Sequence, residues 1–431
     1  MTQHMTQQTL QQLRSGALTG ATRLKLCEDL TVFPKEIYDL ANTLEILDLS
    51  GNALTSLPHD LSRLHRLRVL FGSGNSFTAL PETLGTLPNL EMIGFRASNL
   101  TEVPAAALPA KLRCLILTDN HLTSIPDRIS ACDRLQKLML TGNRLTTLPQ
   151  TLTQCRRLEL LRIAANQFTT LPTHLLDLPR LSWLACAGNP FTAAAEANAL
   201  SQPRTIDWTE LELGARLGEG ASGVIHRANH NGTDVAVKLF KNAITSDGRP
   251  ASEMAAGLAA GDHPNLVSLH GRLTGHPEGR DGTIMPLLAP RFRPLAAPPS
   301  FDTCTRDVYA ADAVLDAASV MTIALTVAQA SAHLHARGIL NGDLYAHNIL
   351  FDGREVWLSD LGAASLYEAG DTPYARSLQS LDVRAFGCLL EELAAVCVGD
   401  LPRAFHDLTD ACLSDDSRAR PPFSDAVSRL V

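Results

Sequence analysis

Ile339-Leu340-Asn341-Gly342-Asp343-Leu344-Tyr345-Ala346-His347-Asn348-Ile349-Leu350 sets two isolated polar side chains, Asp343 and Asn348, between apolar runs. A little further on, Leu358-Ser359-Asp360-Leu361-Gly362 places another acid at the end of a short apolar strand. One acid to orient a hydroxyl, with an amide and a second acid to hold a metal ion, is what phosphoryl transfer asks of a protein. The rest of the chain must supply this centre with a nucleotide or decide where it acts.

The chain has 431 residues, 45% of them hydrophobic, which is room for two or three folded domains. Its 9 cysteines show neither metal-ligand pairs nor a dense disulfide pattern. Cys114, Cys186 and Cys388 lie in apolar frames, so buried free thiols in a reducing, cytoplasmic setting are expected. The polar N-terminus lacks the apolar core of a signal peptide, although delivery by a route that needs none stays open. The longest apolar run, Val320 to Leu334, is broken by Thr322, Thr326, Gln329, Ser331 and His333. It reads as a buried helix rather than a membrane span. The net charge of -8 divides into about +2 up to Asp207 and -10 from Trp208 onward. Neither part has a basic stripe, which argues against nucleic acid as a partner.

The first half repeats itself. Leu44, Leu67, Leu90, Leu112, Leu135, Leu158 and Leu181 follow one another at 22 or 23 residues. Each opens the same phrase, as in Leu135-Gln136-Lys137-Leu138-Met139-Leu140-Thr141-Gly142-Asn143-Arg144-Leu145-Thr146-Thr147-Leu148-Pro149. Self-similarity at this period is the leucine-rich repeat signature. The Leu-x-Leu pair points into the core from a short strand. Asn52, Asn75, Asn120, Asn143, Asn166 and Asn189 recur where amides bond the backbone of stacked turns; Ser98 stands in that place in the third repeat. Leu57-Pro58, Leu80-Pro81, Leu148-Pro149 and Leu171-Pro172 stop the next segment from continuing as strand. A degenerate copy around Leu24, Leu26 and Leu30, preceded by a helix-like stretch from Thr6 to Arg14, reads as the N-terminal cap.

The residues flanking the core leucines should line the concave face. Among them Val69, Phe71, Met92, Ile116, Met139 and Trp183 would form an exposed apolar patch, the mark of a protein-binding surface. The alternative is that the linker or the second domain covers part of it. Repeats of this kind bind rather than catalyse.

The repeat fails after Phe191, and Ala193 to Ala199 reads as a short helical or flexible connector ended by Ser201-Gln202-Pro203. Leu217-Gly218-Glu219-Gly220-Ala221-Ser222-Gly223-Val224-Ile225 then follows a strand start at Leu211. A G-x-G-x-x-G alone is weak, because dinucleotide folds share it. Here a second strand, a turn at His230-Asn231-Gly232 and a third strand, Val235-Ala236-Val237-Lys238, follow instead of a helix. From about Trp208 onward the chain resembles the eukaryotic-type protein kinases.

The resemblance implies an ATP site formed by Leu217 to Ile225, Ala236, Lys238 and Met285, with Ile225 and Ala236 on the adenine and Met285 at its back. It implies Lys238 on the α- and β-phosphates, oriented by Glu253, the sole acid between Asp247 and Asp262. Asp343 takes the place of the catalytic aspartate, and Asn348 and Asp360 those of the Mg²⁺ ligands. Asp382 matches the acid that braces the catalytic loop, at a helix start, and Arg420 a structural arginine. His263-Pro264-Asn265-Leu266-Val267 is a phrase typical of the family.

Four departures stand beside these matches. Asn341-Gly342 replaces the usual His-Arg, so a phosphate-switched activation loop is not expected. Tyr345 occupies the place of a lysine that touches the transferred phosphoryl group, and His347 could partly substitute. No Ala-Pro-Glu lies between Gly362 and Asp382, leaving Arg420 without its glutamate. After Asp382 only three helices are expected, Val383 to Val398, Arg403 to Leu413 and Ser424 to Leu430, which is a reduced peptide platform. The expected fold is an α/β leucine-rich-repeat solenoid followed by an α+β two-lobed kinase-like domain. Its parts are 1-21 as cap, 22-192 as repeats, 193-207 as linker and 208-431 as the kinase-like domain. Repeats joined to a kinase without a span between them resemble bacterial leucine-rich-repeat kinases. The implied activity is ATP- and Mg-dependent phosphorylation of serine or threonine, slow and constitutively assembled, with the repeats choosing a protein partner. A nucleotide-binding pseudokinase scaffold and a small-molecule kinase are the alternatives.

Overall fold

The computed structural model describes residues 6–201, 204–220, 222–241 and 243–431. Two compact units emerge: Met1–Leu181 with Pro299–Thr305, and Ser182–Pro298 with Arg306–Val431. The units therefore divide the chain differently from its motifs, since the last repeat strand travels with the kinase-like part and a short insertion travels with the repeats.

In the first unit, helix α1 (Leu10–Arg14) opens on a capping box between Thr9 and Gln12. Seven three-residue strands follow: β1 (Arg23–Lys25), β2 (Ile46–Asp48), β3 (Val69–Phe71), β4 (Met92–Gly94), β5 (Cys114–Ile116), β6 (Lys137–Met139) and β7 (Leu160–Arg162). They pair in parallel, in sequence order, so that Leu47, Leu70, Ile93, Leu115, Leu138 and Leu161 stand in one row. Each of these is at most 1% exposed, and each contributes roughly 1.5–3 kcal/mol of burial. The asparagine ladder does what its spacing predicts. Asn143 Oδ1 accepts from Leu122 N at 3.0 Å while its Nδ2 donates to Leu117 O and Leu140 O, both at 2.9 Å. Asn52, Asn75, Asn120 and Asn166 repeat the arrangement. In the third repeat Ser98 Oγ donates to Gly72 O instead, and left-handed Ala97 and Asn99 flank it. Proline precedes the 3-10 turns that begin at Glu82, Asp127, Gln150 and Thr173.

The outer columns of these strands are not the open surface expected of them. Val69, Met92 and Met139 are buried, and Phe71 and Ile116 are half-buried. The covering chain is Pro299–Thr305: Phe301 and Cys304 pack into one cluster with Ile46, Val69, Met92 and Cys114. Gly94 matters here, because a Cβ on it would lie 2.5 Å from the Phe71 ring.

The second unit begins with β8 (Trp183–Ala185) and α2 (Ala193–Leu200), the latter packed on α3 (Pro250–Ala260). Strands β9 (Thr205–Asp207), β10 (Leu211–Glu219), β11 (Gly223–His230), β12 (Thr233–Phe240), β13 (Gly271–Thr274) and β14 (Gly282–Pro286) form one sheet in the order β10-β11-β12-β14-β13-β9. Its alternating apolar residues Ala228, Val235, Val237, Leu239, Leu273 and Ile284 make one core. After β15 (Arg293–Pro294) and β16 (Leu315–Asp316), helix α4 (Ala317–Ala336) buries Val320, Ile323, Ala324, Val327, Ala328 and Leu334. Length and apolar content alone would suit α4 to a bilayer, but these residues are a core helix's buried side. Strands β17 (Ile339–Leu340), β18 (Ile349–Phe351), β19 (Val356–Leu358) and β20 (Ser365–Leu366) carry the catalytic-loop region. Helix α5 (Pro373–Ala395), β21 (Cys397–Val398), α6 (Arg403–Cys412) and α7 (Phe423–Leu430) complete the unit.

One expectation changes. Asp382 lies in the middle of α5, not at its start, because Thr372 caps the helix and Pro373 occupies its first turn. The segment between Gly362 and this helix is correspondingly shorter than the motifs imply.

Candidate functional site

Beneath the β10–β11 hairpin lies a cavity of about 330 Å³, within the range of small-ligand sites. Leu217, Ile225, Ala236, Val267, Met285 and Leu350 give it apolar walls, and Lys238, Glu253 and Asp360 converge on it as charges. Strand β12 presents Lys238 and α3 presents Glu253, 2.5 Å apart. Burial pushes the Glu253 carboxyl up to about 7, against the pull of Lys238 and with the Asp360 charge adding to the rise. Burial opposes the Lys238 ammonium too, but Asp360 and Glu253 hold its pKa above the ordinary value. One cation thus faces two carboxylates.

Asp360 follows β19 with a left-handed φ of 58°, and its Oδ1 accepts from Gly362 N at 2.9 Å. The loop after α3 holds β19 in place, since Val267 N donates to Leu358 O and Leu358 N to Asn265 O. Ser359 then ties the cavity to the catalytic loop through its hydroxyl, 2.8 Å from Asn348 O. Asn348 Nδ2 donates to Asp343 Oδ2 at 2.9 Å and to Asp343 O at 3.0 Å. Those bonds fix the amide and commit its nitrogen, leaving the oxygen as a hard donor. That oxygen and the Asp360 carboxylate are donors of the kind that would suit Mg²⁺, which binds through one or two protein ligands plus phosphate and water.

The loop itself is braced from α5. Asp382, fully buried, accepts from Asn341 N at 2.7 Å, Gly342 N at 2.9 Å and His335 Nε2 at 2.9 Å. Two of the four departures from the family pattern, Gly342 and Tyr345, have a cause at β8. A Cβ on Gly342 would lie 2.2 Å from Leu184 O, and its φ is +69°, so neither arginine nor any other side chain fits. Tyr345 stacks on Trp183 with ring centroids 4.3 Å apart and planes 8° from parallel. Trp183 Nε1 also donates to Leu344 O at 3.1 Å, and Cys186 N to Ser365 Oγ at 3.1 Å. Tyr345 is therefore a packing residue beside the loop.

His347 is held by Asp307, which accepts from its backbone N at 2.9 Å and faces its Nδ1 at 2.8 Å. Burial disfavours the imidazolium, yet Asp307, Asp343 and Asp360 raise the His347 pKa above the ordinary histidine value. Asp307 is anchored by its neighbour Arg306, which meets Glu392 at 2.5 Å and Glu391 at 2.9 Å.

Of the residues expected around ATP, Leu217, Ile225, Ala236, Lys238 and Met285 line the cavity. Gly218, Glu219, Gly220, Ser222, Gly223 and Val224 form the hairpin above it instead, and Ala221 falls outside the described residues. Among the described residues nothing would meet a Cβ on Gly218 or Gly220, so that hairpin face is open to a ligand. Gly223 serves packing, with Leu239 O 2.6 Å from a Cβ there. Glu219 is engaged by Lys241 and Arg216. Trp183 is buried in this unit rather than displayed for a partner. Asp307, His335 and Leu184 were not anticipated; an acid in an aperiodic insertion and a backbone carbonyl carry no sequence signal.

Residues 211–386 match the family model for protein tyrosine and serine/threonine kinases. Residues 110–168 and 133–191, and separately 43–64, match leucine-rich repeat models. A probable serine/threonine-protein kinase of Dictyostelium discoideum is 25% identical over 246 residues, 51% of this chain and 25% of that protein. A putative serine/threonine-protein kinase of Acanthamoeba polyphaga mimivirus is 23% identical over 42% of this chain and 31% of its own length. The megakaryocyte-associated tyrosine-protein kinase of Mus musculus is 24% identical over 52% of this chain and 49% of its own. The chain thus spans between a quarter and a half of the length of these curated relatives. Its own make-up is that of leucine-rich repeats joined to a protein-kinase domain.

Proposed function

We propose that the protein is an ATP- and Mg-dependent kinase that phosphorylates serine or threonine in a protein partner engaged by its repeats. The observation that carries this is the Lys238–Glu253 pair at 2.5 Å inside a nucleotide-sized cavity that also receives Asp360. Lys238 positions the phosphates, and Glu253 fixes where its ammonium points. Asp343, held by Asn348, orients the acceptor hydroxyl and takes its proton. Asn348 and Asp360 would hold Mg²⁺, which neutralises phosphate charge during transfer. Asp382 keeps the loop assembled by binding its backbone directly, so no phosphate on an activation loop is needed. With no lysine at Tyr345, one charge-stabilising donor is missing, and a rate roughly 10²–10³ lower than otherwise follows. Serine or threonine as acceptor is favoured by two of the three relatives described above. Among the described residues no cysteine forms a disulfide, which supports a cytoplasmic setting.

Buried Tyr345, stacked where a cation would serve transfer, favours a second reading: a pseudokinase that binds nucleotide without turnover. The short stretch before α5 keeps a small-molecule acceptor in view. The full chain with Mg and labelled ATP decides. Labelled phosphate should reach the protein itself or an added protein acceptor, and Asp343→Asn should abolish transfer while keeping the ATP-induced rise in Tm. A Tm rise with no transfer by either chain would install the pseudokinase reading, and ADP release driven only by a hydroxylated metabolite the small-molecule one.

A further inference from the structure

We propose that the outer face of strands β2 to β5 is a recognition site for a turn-forming peptide in which an aromatic residue is followed by aspartate, and that Ser300–Thr305 is the chain's own competing copy of that ligand. The segment sits as a peptide ligand does, with one aromatic anchor and polar contacts around it. Phe301, 8% exposed, meets Phe71 at a centroid distance of 5.7 Å over a floor of Ile46, Val69, Met92 and Cys114. Cys304, fully buried, fills the place beside it. Arg113 Nη2 donates to Asp302 O at 3.0 Å, and Arg68 lies 3.6 Å from the Asp302 carboxylate. Both guanidinium groups are set in advance by Glu91, 3.0 Å from Arg68 and 3.8 Å from Arg113. Thr305 closes the set through Glu159.

Three features distinguish a displaceable ligand from a permanent plug. The segment adds no strand to the sheet it covers and is a turn closed by its own Cys304 N to Ser300 O bond at 3.0 Å, with Cys304 at a left-handed φ of 62°. The Asp302 side chain is 82% exposed, so its ion pair with Arg68 adds selectivity more than affinity. Phe71 and Ile116 remain half-buried at the edge of the cluster, which gives an incoming chain somewhere to start. A tethered copy acts at an effective concentration on the order of 1 mM, so a free peptide competes poorly until the copy is weakened.

The test uses the full chain under reducing conditions and a fluorescent peptide, Pro298-Pro299-Ser300-Phe301-Asp302-Thr303-Cys304-Thr305-Arg306, followed by anisotropy. Phe301→Ala in the protein should raise affinity for the peptide by about 10-fold or more over the wild type. A peptide with Phe301→Ala should not bind, and Arg68→Ala in the emptied protein should weaken binding several-fold. Should Phe301→Ala destabilise the fold, replacing Ser300–Thr305 by glycine-serine of equal length asks the same question. Equal affinity for wild-type and emptied protein, or binding to neither, overturns the proposal. So does a wild-type dimer that Phe301→Ala dissolves, since the occupant would then be a second copy. None of these readouts depends on phosphotransfer.

Discussion

Lys238 must serve two carboxylates at once, Glu253 at 2.5 Å and Asp360, and burial raises the cost of every charge in the group. Burial above all, with the Asp360 charge adding to it, is why the Glu253 carboxyl rises from 4.5 to about 7. The consequence for stability has a definite sign. Between pH 4.5 and about 7 the native protein keeps a proton on Glu253 that the unfolded chain has released, so stability from this group is full below 4.5 and falls until about 7. Without nucleotide or metal, the Tm of Glu253→Gln should therefore gain on the wild type as pH rises through that window, then run parallel above it. Curves that stay parallel throughout would show that Glu253 is already ionised in the acid range. Lys238 and Asp360 were legible because each sits in a motif a few residues long, and Glu253 because it is the sole acid between Asp247 and Asp262. Their electrostatic imbalance was not, because it depends on how β12, α3 and the end of β19 converge.

Strand β8 shows what a repeat count conceals. Its spacing assigns Trp183 to the repeat array, and alternation assigns its side chain to an open face. Both follow from local period, which says nothing about the chain that covers the last repeat. In the folded protein Trp183 stacks on Tyr345 and donates to Leu344 O, while Leu184 O occupies the space a side chain at 342 would need. Gly342 and Tyr345 were visible as departures from a family pattern, but their reason lies about 160 residues away. Trp183→Ala should cost roughly 3–5 kcal/mol, the range for losing a large buried aromatic. Trp183→Phe should cost less, because it keeps a ring against Tyr345 and gives up only the Nε1–H bond. Denaturant midpoints should rank wild type above Phe above Ala; an Ala variant as stable as wild type would mean that the stack contributes nothing.

At the scale of the molecule, the motifs mark the start of kinase-like sequence near Trp208, whereas the compact unit starts at Ser182. Composition shifts report where a family pattern begins, and burial reports what must be present for it to fold. Between those two points lie side chains the unit uses internally. Glu196 of α2 accepts from Gly188 N at 2.7 Å and from Ser252 Oγ at 2.9 Å, and Ser252 is the residue before Glu253. Trp183 and Leu184 are each 1% exposed and Ala199 only 6%. Removing the two large side chains alone forfeits about 1.5–3 kcal/mol each, against a total stability of roughly 5–15 kcal/mol for a domain. It would also uncover Tyr345, Leu344 O and the α2-facing side of α3 together. A fragment from Ser182 to Val431 should therefore unfold in one cooperative transition and show a Tm rise with ATP. A fragment from Trp208 to Val431 should melt without cooperativity or aggregate. Equal, cooperative melting of both fragments would show that the last repeat strand and α2 decorate the kinase-like unit instead of completing it.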